Sequence, residues 1–497
     1  MKVLIANRGE IAVRIIRACR ELGYSTVAVY SEPDRAALHV LYADQAMPVG
    51  PAPSRESYLR IDRIIDAAKK SGADAIHPGY GFLAENAGFA RACRDAGITF
   101  IGPSPESIDA MGSKTESRQR MKAAGVPVVP GLTEPVRSFD EIAAFAKSSG
   151  FPIMIKASAG GGGKGMRFVE REDDLKQAFE RVTSEAKSFF GDDSVYAEKF
   201  VPSPRHIEVQ ILGDQHGNVI YVGERECTLQ RRHQKVVEEC PSPVVTPELR
   251  QKFGEMAVKA AKAVNYYSTG TIECLMGPDQ QFYFLEMNTR LQVEHPVTEM
   301  VWGVDLVKEQ LRVARGEKLT LRQSDLKLSG HAIEVRIYAE DPARNFAPSP
   351  GLIRYINLPQ GPGVRNDNGV YTGYTVPVFY DPMLSKLICH AATREEAIAR
   401  MRRALTEYRV EGIETTIPFF TALMSHPDFG AARFDTGFID RNLADLMKEK
   451  SGNGSVDAAI AAAAIFAFEE SQQVRLADAQ ESAWKRAGRL DTLKERM

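Results

Sequence analysis

The length, composition and charge of the chain exclude several classes of protein before any motif is considered. Its 497 residues are 44% hydrophobic and 26% charged, and 63 basic residues against 65 acidic ones leave a net charge of −2. Such values are typical of a globular protein of about two to four domains, and they argue against nucleic acid or an anionic membrane as the main partner. The six cysteines form no CxxC pair, and the apolar run 458–468 is too short to span a bilayer. The sequence therefore predicts a soluble cytoplasmic protein without a zinc site.

Residues 1–104 alternate between strand and helix patterns. The apolar strand "KVLIA" precedes a helix in which Ile11, Ile15 and Cys19 share one face. Further strands are predicted at 26–30, 73–77 and 98–102, with helices at 57–70 and 86–96. This alternation predicts a parallel sheet with functional loops, such as "NRGE" and "HPGYGF", at the carboxyl ends of its strands. The first strand–helix turn has only Gly9, so we expect a Rossmann-like layer rather than a dinucleotide site.

The segment "KASAGGGGKGMR" (156–167) resembles a phosphate-binding loop. It fails the Walker pattern, because Gly165 follows Lys164 and Ser158 stands where the first glycine is needed. It matches G-x-G-x-x-G, but β-like sequence follows it where that fingerprint requires a helix. We therefore predict a β-hairpin whose glycine tip wraps phosphate oxygens and closes as a mobile lid. The alternative is a flexible surface turn.

The stretch "FLEMNTRLQVEHP" (284–296) is dense in polar side chains. Alternation along a strand places one set of them on a single face: Glu286, Asn288, Arg290 and, if the extended conformation continues, Gln292 and Glu294. Glu273, on what should be the neighbouring strand, and Glu286 are then placed to bridge hard cations. Oxygen ligands without a His/Cys cluster favour Mg²⁺ shared with nucleotide phosphates, and the alternative is a solvated polar face.

The segment "RRHQK" (231–235) groups four basic or potentially basic side chains in a chain of nearly zero net charge. It indicates either a local anion site or a surface patch. Considered alone, His206 and His233 are as compatible with a structural role as with a functional one.

A series of motifs, in matching order from residue 1 to about 447, resembles those of the biotin carboxylases of the ATP-grasp superfamily. They are ANRGEIA, HPGYGF, GPSPESI, MGSK, AGVPVVPG, IKASAGGGGKGMR, RHIEVQ, QRRHQKVVEE, EMNTRLQVEHPVTE, GHAIEVRIYAEDP, PSPG and YDPMLSKLI. The resemblance implies a mixed α/β and α+β fold. Its expected parts are a Rossmann-like N-terminal domain (1–110), an ATP-grasp domain (111–325) with a mobile glycine-rich lid subdomain at about 131–201, a C-terminal biotin carboxylase domain (330–447), and a linker and helical tail (451–497).

The same resemblance implies the reaction. ATP and bicarbonate give carboxyphosphate and ADP, and carboxyphosphate then delivers CO₂ to the ureido nitrogen of biotin. ATP and Mg²⁺ or Mn²⁺ are the expected cofactors. The sequence has no "AMKM"-type biotinylation site, so biotin is expected on a separate biotin carboxyl carrier protein. The resemblance further implies a carboxyltransferase partner and a homodimer.

The resemblance also implies roles for individual residues. The expected contacts to ATP phosphates are Lys114, Lys156, Gly162 and Gly163. The expected adenine-side residues are Glu198, Lys199, Phe200 and Val201, with His206 and His233 nearby. The expected metal ligands are Glu273, Glu286 and Asn288. Bicarbonate is expected to bind Lys235, Arg290 and the backbone of Val293, while Glu294 deprotonates it and Arg336 stabilises the biotin enolate.

Two departures from the family pattern and one extension stand out. Ala159 and Lys164 replace the common Gly and Arg of the lid, and Ala84 stands where Ser is common, but no catalytic group is lost. The tail contains an Ala-rich helical pattern at 456–470. It is predicted either to dock a partner subunit or to pack on its own domain.

Two other functions compete with the carboxylase. One is an ATP-grasp ligase that joins another acyl phosphate to an amine, and Arg336 with "VEHP" upstream argues against it. The other is an ATP-sensing regulatory protein, which is disfavoured because Glu273, Glu286, Arg290 and Glu294 are all present. The sequence leaves the final carboxyl acceptor open among acetyl-CoA, propionyl-CoA, pyruvate and 2-oxoglutarate.

Overall fold

The structure is a computed structural model that describes residues 1–132, 134–158, 165–232, 234–448, 459 and 461–468, without the side chains at 114, 115, 189 and 190. Several residues with predicted roles lie outside this range: Gly162, Gly163, His233, the side chain of Lys114, the lid substitutions at 159 and 164, and most of the tail. The chain divides into one unit over Met1–Met447 and a second over Lys448–Met497.

The N-terminal region is built on a parallel sheet with strand order β3-β2-β1-β4-β5, as the alternating pattern predicts. Its strands are β1 (Lys2–Ile5), β2 (Ser25–Ser31), β3 (Gln45–Gly50), β4 (Ala75–His77) and β5 (Thr99–Phe100). The helices are α1 (Gly9–Glu21), α2 (Leu38–Tyr42), α3 (Ile61–Ser71), α4 (Ala87–Asp95), α5 (Pro105–Gly112) and α6 (Lys114–Ala123). The buried face of α1 includes Ile11, Ile15 and Cys19, which confirms the predicted apolar stripe. Strand β3 was not predicted, because Pro48 lies within its sequence QAMPVG, and a proline inside a strand suits only an edge position such as the one β3 occupies.

A small unit follows, made of α7 (Phe139–Ser149), β6 (Ile153–Ala157), β7 (Met166–Val169), α8 (Leu175–Phe190) and β8 (Val195–Lys199). Its antiparallel sheet has the order β7-β6-β8. Strands β6 and β7 pair from Ile153↔Val169 to Lys156↔Met166. The glycine segment therefore joins two antiparallel strands, which confirms the predicted hairpin and explains why the helix-dependent fingerprint misleads.

The central region supplies β9 (Arg205–Gly213), β10 (Val219–Arg231), β11 (Gln234–Cys240), α9 (Pro247–Lys262), β12 (Ser268–Met276), β13 (Phe282–Asn288), α10 (His295–Trp302) and α11 (Leu306–Ala314). Glu273 and Glu286 lie opposite each other on β12 and β13. That pairing was predicted from the short turn between the two segments.

The C-terminal region contributes strands β14 (His331–Tyr338), β15 (Glu340–Asp341), β16 (Ala347–Pro348), β17 (Gly351–Leu352), β18 (Tyr355–Asn357), β19 (Val364–Asn368), β20 (Thr375–Val376), β21 (Met383–Ala391) and β22 (Arg409–Glu411). Its helices are α12 (Arg394–Glu407), α13 (Ile417–Met424), α14 (Pro427–Gly430) and α15 (Phe438–Leu446). One sheet of order β13-β12-β9-β10-β11-β14-β21-β19 spans the central and C-terminal regions. The two regions join where Glu238 on β11 faces Glu334 on β14.

In the second unit, residues 461–468 are helical, and Ile465 and Phe466 are exposed. The rest of the helix predicted at 456–470 lies outside the described residues, apart from residue 459. Among the described helices, none has both the length and the apolar character that crossing a membrane would require.

Candidate active site

Two clefts open toward the same group of charged side chains. The first has a volume of about 600 Å³ and is lined by residues of the small unit and of the central sheet, among them Lys156, His206 and Glu286. The second, of about 470 Å³, lies between the N-terminal and C-terminal regions. The clefts share Gln234, Arg290, Val293 and Arg336. Reagents held in the two clefts would therefore meet at these four residues.

The second cleft uses the loops predicted at the carboxyl ends of parallel strands. The amide nitrogen of Asn7 donates hydrogen bonds to the carbonyl oxygens of Pro78 and Tyr80, both at 2.7 Å. This contact ties "NRGE" to "HPGYGF". Arg8 and Tyr80 line the cleft, so the Rossmann-like layer contributes to the site without any dinucleotide pattern.

The ammonium of Lys235 lies at the centre of the charged group. Its Nζ contacts Glu208 Oε2 at 2.5 Å, Glu273 Oε1 at 2.8 Å and Glu294 Oε1 at 2.8 Å. Burial disfavours this charge, but the surrounding carboxylates outweigh burial and raise the pKa of Lys235 well above its ordinary value. Lys235 is therefore a permanent cation in the lining of the first cleft.

Glu294 is also bound by Arg336, whose Nη2 donates to Glu294 Oε2 at 2.9 Å. Burial works to raise the pKa of Glu294, but Lys235, Arg336 and Arg225 outweigh it and hold the pKa well below the usual range. Glu294 is therefore ionised at neutral pH, and the three cations restrain its basicity.

The local structure around Glu294 differs from the conditional expectation of a continued strand. Strand β13 ends at Asn288, and Glu294 is the residue immediately before α10, with φ −82° and ψ 12°. Leu291 is buried in the core formed with the N-terminal sheet, which turns the chain away from the extended path. The turn and the helix start, rather than strand alternation, bring Glu294 to Lys235.

Glu273 collects donors from several elements. Asn288 Nδ2 and Gln292 Nε2 donate to its Oε1 at 2.7 and 3.1 Å, and His206 Nε2 lies 2.8 Å from Oε2. Burial favours the neutral acid, but Lys235 and His206 outweigh it and lower the pKa of Glu273. With Glu286 opposite it, the site offers carboxylate oxygen donors of the kind that Mg²⁺ and Mn²⁺ prefer. The predicted donors therefore fit such an ion, and Glu208 lies in the same cluster as His206 and Glu273.

The guanidinium of Arg290 is fixed by hydrogen bonds at the wall that the two clefts share. Its Nε donates to Glu85 at 2.8 Å, and its two terminal nitrogens donate to Gln292 at 2.9 Å and to Asn288 at 3.2 Å. Val293 accepts a 2.7 Å hydrogen bond from Lys386 at its carbonyl oxygen. The structure thus brings together Lys235, Arg290, Val293, Glu294 and Arg336, all of which the family resemblance assigns to one site.

At the other end of the first cleft, Lys156 and Arg118 both pair with the carboxylate of Glu198. The side chain of Glu198 is therefore engaged by two cations, and its backbone pairs with Met154 of β6. Lys199 donates to three carbonyl oxygens of residues 149–151, and the rings of Phe200 and Phe168 have centroids 4.5 Å apart. Glu198, Lys199, Phe200 and Val201 line the cleft where the sequence predicts a nucleotide.

The basic segment 231–235 does not act as one patch. Arg231 is buried, pairs with Glu340 and lies over the ring of Phe346, whereas Lys235 faces the carboxylates of the active site. In the hairpin between β10 and β11, Arg231 pairs with Gln234, which is adjacent to Lys235, so the side chains of Arg231 and Lys235 point to opposite faces of the sheet. Arg231 and Lys235 therefore do not belong to one basic patch, and His233 lies outside the described residues.

Sequence reasoning missed four buried participants: Glu208, Arg225, Glu238 and Lys386. Glu208 had a visible signal, since His206, Glu208 and Gln210 alternate with buried aliphatic residues in "HIEVQIL". Arg225 is fully buried and binds Glu208, Gln210 and Thr298. Its place follows from pairing between distant strands, which spacing alone does not reveal.

Family models match the chain in three consecutive segments. They are the N-terminal domain of biotin carboxylase (residues 1–108), the ATP-binding domain of the carbamoyl-phosphate synthase L chain (113–322) and the C-terminal domain of biotin carboxylase (334–441). Their order follows that of the three regions of the fold.

Curated relatives and solved structures agree with these models. Biotin carboxylase of Halalkalibacterium halodurans is 55% identical over 89% of this chain and 98% of its own. One of the subunits of pyruvate carboxylase from Methanothermobacter thermautotrophicus is 56% identical over 88% of this chain and 89% of its own. A crystal structure of a biotin carboxylase–β-γ-ATP complex from Campylobacter jejuni matches with a TM-score of 0.84 and 48% identity, over 88% of this chain and 98% of that one.

A second structure is the biotin carboxylase domain dimer of the 2-oxoglutarate carboxylase from Hydrogenobacter thermophilus, in complex with MgADP, ADP and bicarbonate. It matches with a TM-score of 0.85 and 48% identity, over 90% of this chain and 99% of that one. Given this extent of similarity and the ATP-grasp fold with its clustered carboxylates and cations, the chain belongs to the biotin carboxylase family.

Proposed function

We propose that the chain catalyses the ATP-dependent carboxylation of biotin borne on a separate carrier protein, with bicarbonate as the carbon source and carboxyphosphate as the intermediate. This is the first half-reaction of a multi-subunit biotin-dependent carboxylase. One observation carries the proposal: Lys235, Glu294 and Arg336 form one contact network where the two clefts meet. A nucleotide in the first cleft and biotin in the second would both reach that network.

The first step needs an anion site with a base. Lys235 and Arg290 offer positive charge to bicarbonate, and the planar guanidinium suits a planar oxyanion. Glu294, already ionised, accepts the bicarbonate proton, which makes the oxygen a better nucleophile toward the γ-phosphoryl group of ATP. As Lys235 and Arg336 turn toward the substrates, their hold on Glu294 weakens and its basicity rises.

The nucleotide is held by the first cleft. Lys156 lies at the base of the hairpin and would exchange its contact with Glu198 for ATP phosphates, to which Lys114 at the start of α6 is also assigned. Glu273, Glu286 and Asn288 would hold Mg²⁺ or Mn²⁺, and a bound ion supplies charge neutralisation in phosphoryl transfer. The Gly162–Gly163 tip is assigned to the phosphates, where a closed lid protects labile carboxyphosphate from water.

The second step places biotin beside Arg336. Its guanidinium is buried, lines both clefts, and leaves Nε without a hydrogen-bond partner among the described residues. A buried donor without a partner costs free energy unless a ligand satisfies it. The enolate oxygen of a deprotonated ureido group is an acceptor of the required charge.

The relatives named as carboxylase subunits support partners of two kinds, a biotin carrier protein and a carboxyltransferase. Docking of such a partner on the tail 451–497 is part of the proposal. It predicts that a 1–450 truncation retains bicarbonate-dependent ATP turnover and loses assembly with its partner. Full assembly of the truncated chain would contradict that docking role.

The function is tested by ATP hydrolysis measured with and without bicarbonate and free biotin. We expect turnover to require both compounds, and turnover that ignores either one would reject the proposal. The decisive variant is Glu294→Gln, which removes the proton acceptor and retains shape. It should slow bicarbonate-dependent turnover while ATP still binds, and a rate within about threefold of wild type, roughly 0.7 kcal/mol, would exclude Glu294 as the base.

A further inference from the structure

Glu238 is a buried carboxylate behind Arg336 that the reaction described above does not use. It lies on β11 directly opposite Glu334 of β14, and both residues are fully buried. Its Oε1 forms an ion pair with Arg336 Nη2. The same nitrogen donates to Glu294 Oε2 at 2.9 Å. One guanidinium nitrogen is thus shared between a carboxylate in the sheet and the proposed base.

Sharing sets up a competition for Arg336. Charge drawn by Glu238 is withheld from Glu294, and a base that is less strongly paired with a cation is a better proton acceptor. Building on the proposed function, we infer that Glu238 is a positioning residue whose negative charge holds Arg336 back from Glu294. The ion pair with Glu238 leaves Glu294 able to accept a proton and keeps the Arg336 guanidinium at the wall that the two clefts share.

The surroundings of Glu238 make its charge conditional. The titratable groups facing it come from β10, β11, β14 and the turn before α10: Cys227, Lys235, Glu294, Glu334, Arg336 and Tyr338. The cations among them, Lys235 and Arg336, are shared with other carboxylates. Both oxygens of Glu334 are buried without a hydrogen-bond partner among the described residues. Lys386, on the neighbouring strand β21, is the positive charge that acts most strongly on Glu334, ahead of Arg336.

The two carboxylates that share Arg336 therefore titrate in different ranges. Burial, reinforced by Glu294 and opposed chiefly by Arg336, raises the pKa of Glu238 to about 7. The pKa of Glu294 stays well below the usual range. As pH falls through about 7, Glu238 takes up a proton and releases Arg336, whose charge then acts on Glu294 alone. Turnover should rise with pH across this range, although the base itself remains ionised throughout.

The experiment is a pH profile of biotin carboxylation by the full chain, with saturating ATP, free biotin, and bicarbonate kept saturating at each pH between about 5.5 and 9. Wild type should show a rise with a midpoint about 7. Glu238→Gln is neutral at every pH, so it should lack the rise and be about tenfold slower than wild type at pH 8, with similar rates near pH 6. Glu238→Asp, which restores the charge, should recover the rise.

Glu224→Gln is the matched control. Glu224 is also buried on the central sheet, burial also raises its pKa, and it binds Arg250 at 2.7 and 2.8 Å, away from Arg336. This variant should keep the wild-type rise. ATP affinity and the unfolding midpoint are measured for every variant, because a purely structural role would lower the rate equally at all pH values.

Three results would overturn the inference. The first is a flat pH profile of wild-type turnover between about pH 6 and 8, a result that requires no variant. The second is a rise of turnover with pH that is unchanged in Glu238→Gln. The third is a loss of turnover in that variant that is equal at all pH values. Failure of the proposed function looks different, since wild-type turnover would then not require bicarbonate or biotin at any pH. A wild-type enzyme that requires both, combined with an unaltered rise in Glu238→Gln, rejects only the role of Glu238.

Discussion

The two faces of strand β11 carry adjacent buried glutamates with opposite electrostatic character. The carboxylate of Glu239 accepts hydrogen bonds from Arg394 Nε at 2.7 Å and Nη2 at 2.9 Å, and His331 Nε2 lies 2.8 Å from it. Among the described residues, Glu238 forms an ion pair only with Arg336, which it shares with Glu294. Burial disfavours charge on both, yet the pKa of Glu239 falls to about 2 and that of Glu238 rises to about 7.

The difference distinguishes a carboxylate with a structural role, Glu239, from one that lies beside the proposed reaction site, Glu238. A carboxylate that accepts three charge-assisted bonds fixes the sheet against α12, and Arg394 extends this structural contact to the carbonyl oxygens of Phe429 and Gly430. On the other face, each cation serves more than one carboxylate, so an arriving anion can take it over at little cost. Incompletely paired charge is tolerated on the face of β11 that carries the proposed site, whereas fully paired charge on the other face stabilises the fold.

The largest expected effect tests the site face. Lys235→Met removes the cation that three carboxylates share and should lower bicarbonate-dependent turnover by about 10²-fold or more, since one electrostatic donor at a reacting oxyanion contributes on that scale. The measurement is kcat/KM for bicarbonate at saturating ATP. The matched control is Lys70→Met, which removes only an exposed pair with Asp66. A loss below about threefold would show that Lys235 does not bind the anion.

The sequence predicted some residues of the candidate site and missed others. Glu273 opposite Glu286 followed from strand alternation and a short turn, because local geometry decides such pairs. Glu294 was identified through the family resemblance, while its route through a turn into α10 was not foreseen, since buried Leu291 sets that path. Glu238 gave no signal in "KVVEEC", where only the pairing of β11 with β14 decides which glutamate meets Arg336.

The second prediction tests the structural face. Glu239→Gln leaves the guanidinium of Arg394 mostly buried without its counter-charge and should destabilise the protein by about 3–5 kcal/mol, the usual cost of breaking a buried pair. Urea unfolding measures this loss, and turnover of the folded variant should remain near wild type. Asp428→Asn, which weakens the exposed pair with Arg433, is the control and should cost about 1 kcal/mol or less. A stable Glu239→Gln variant with impaired turnover would reverse the assignment of the two faces.

The smallest effect is the pH dependence of stability, and its sign should differ between the two glutamates. The folded-state pKa of Glu239 lies below its ordinary value of 4.5, so its contribution is present above about 4.5 and is lost as pH falls toward about 2. The stability gap between wild type and Glu239→Gln should therefore narrow by about 1.4 kcal/mol per pH unit in that range. The folded-state pKa of Glu238 is raised, so its contribution is present below about 4.5 and is lost as pH rises through about 7. Relative to wild type, Glu238→Gln should therefore gain stability as pH rises from about 5 to about 8. Urea midpoints that change in the same direction with rising pH for both variants, relative to wild type, would contradict the contrast between the two faces of β11.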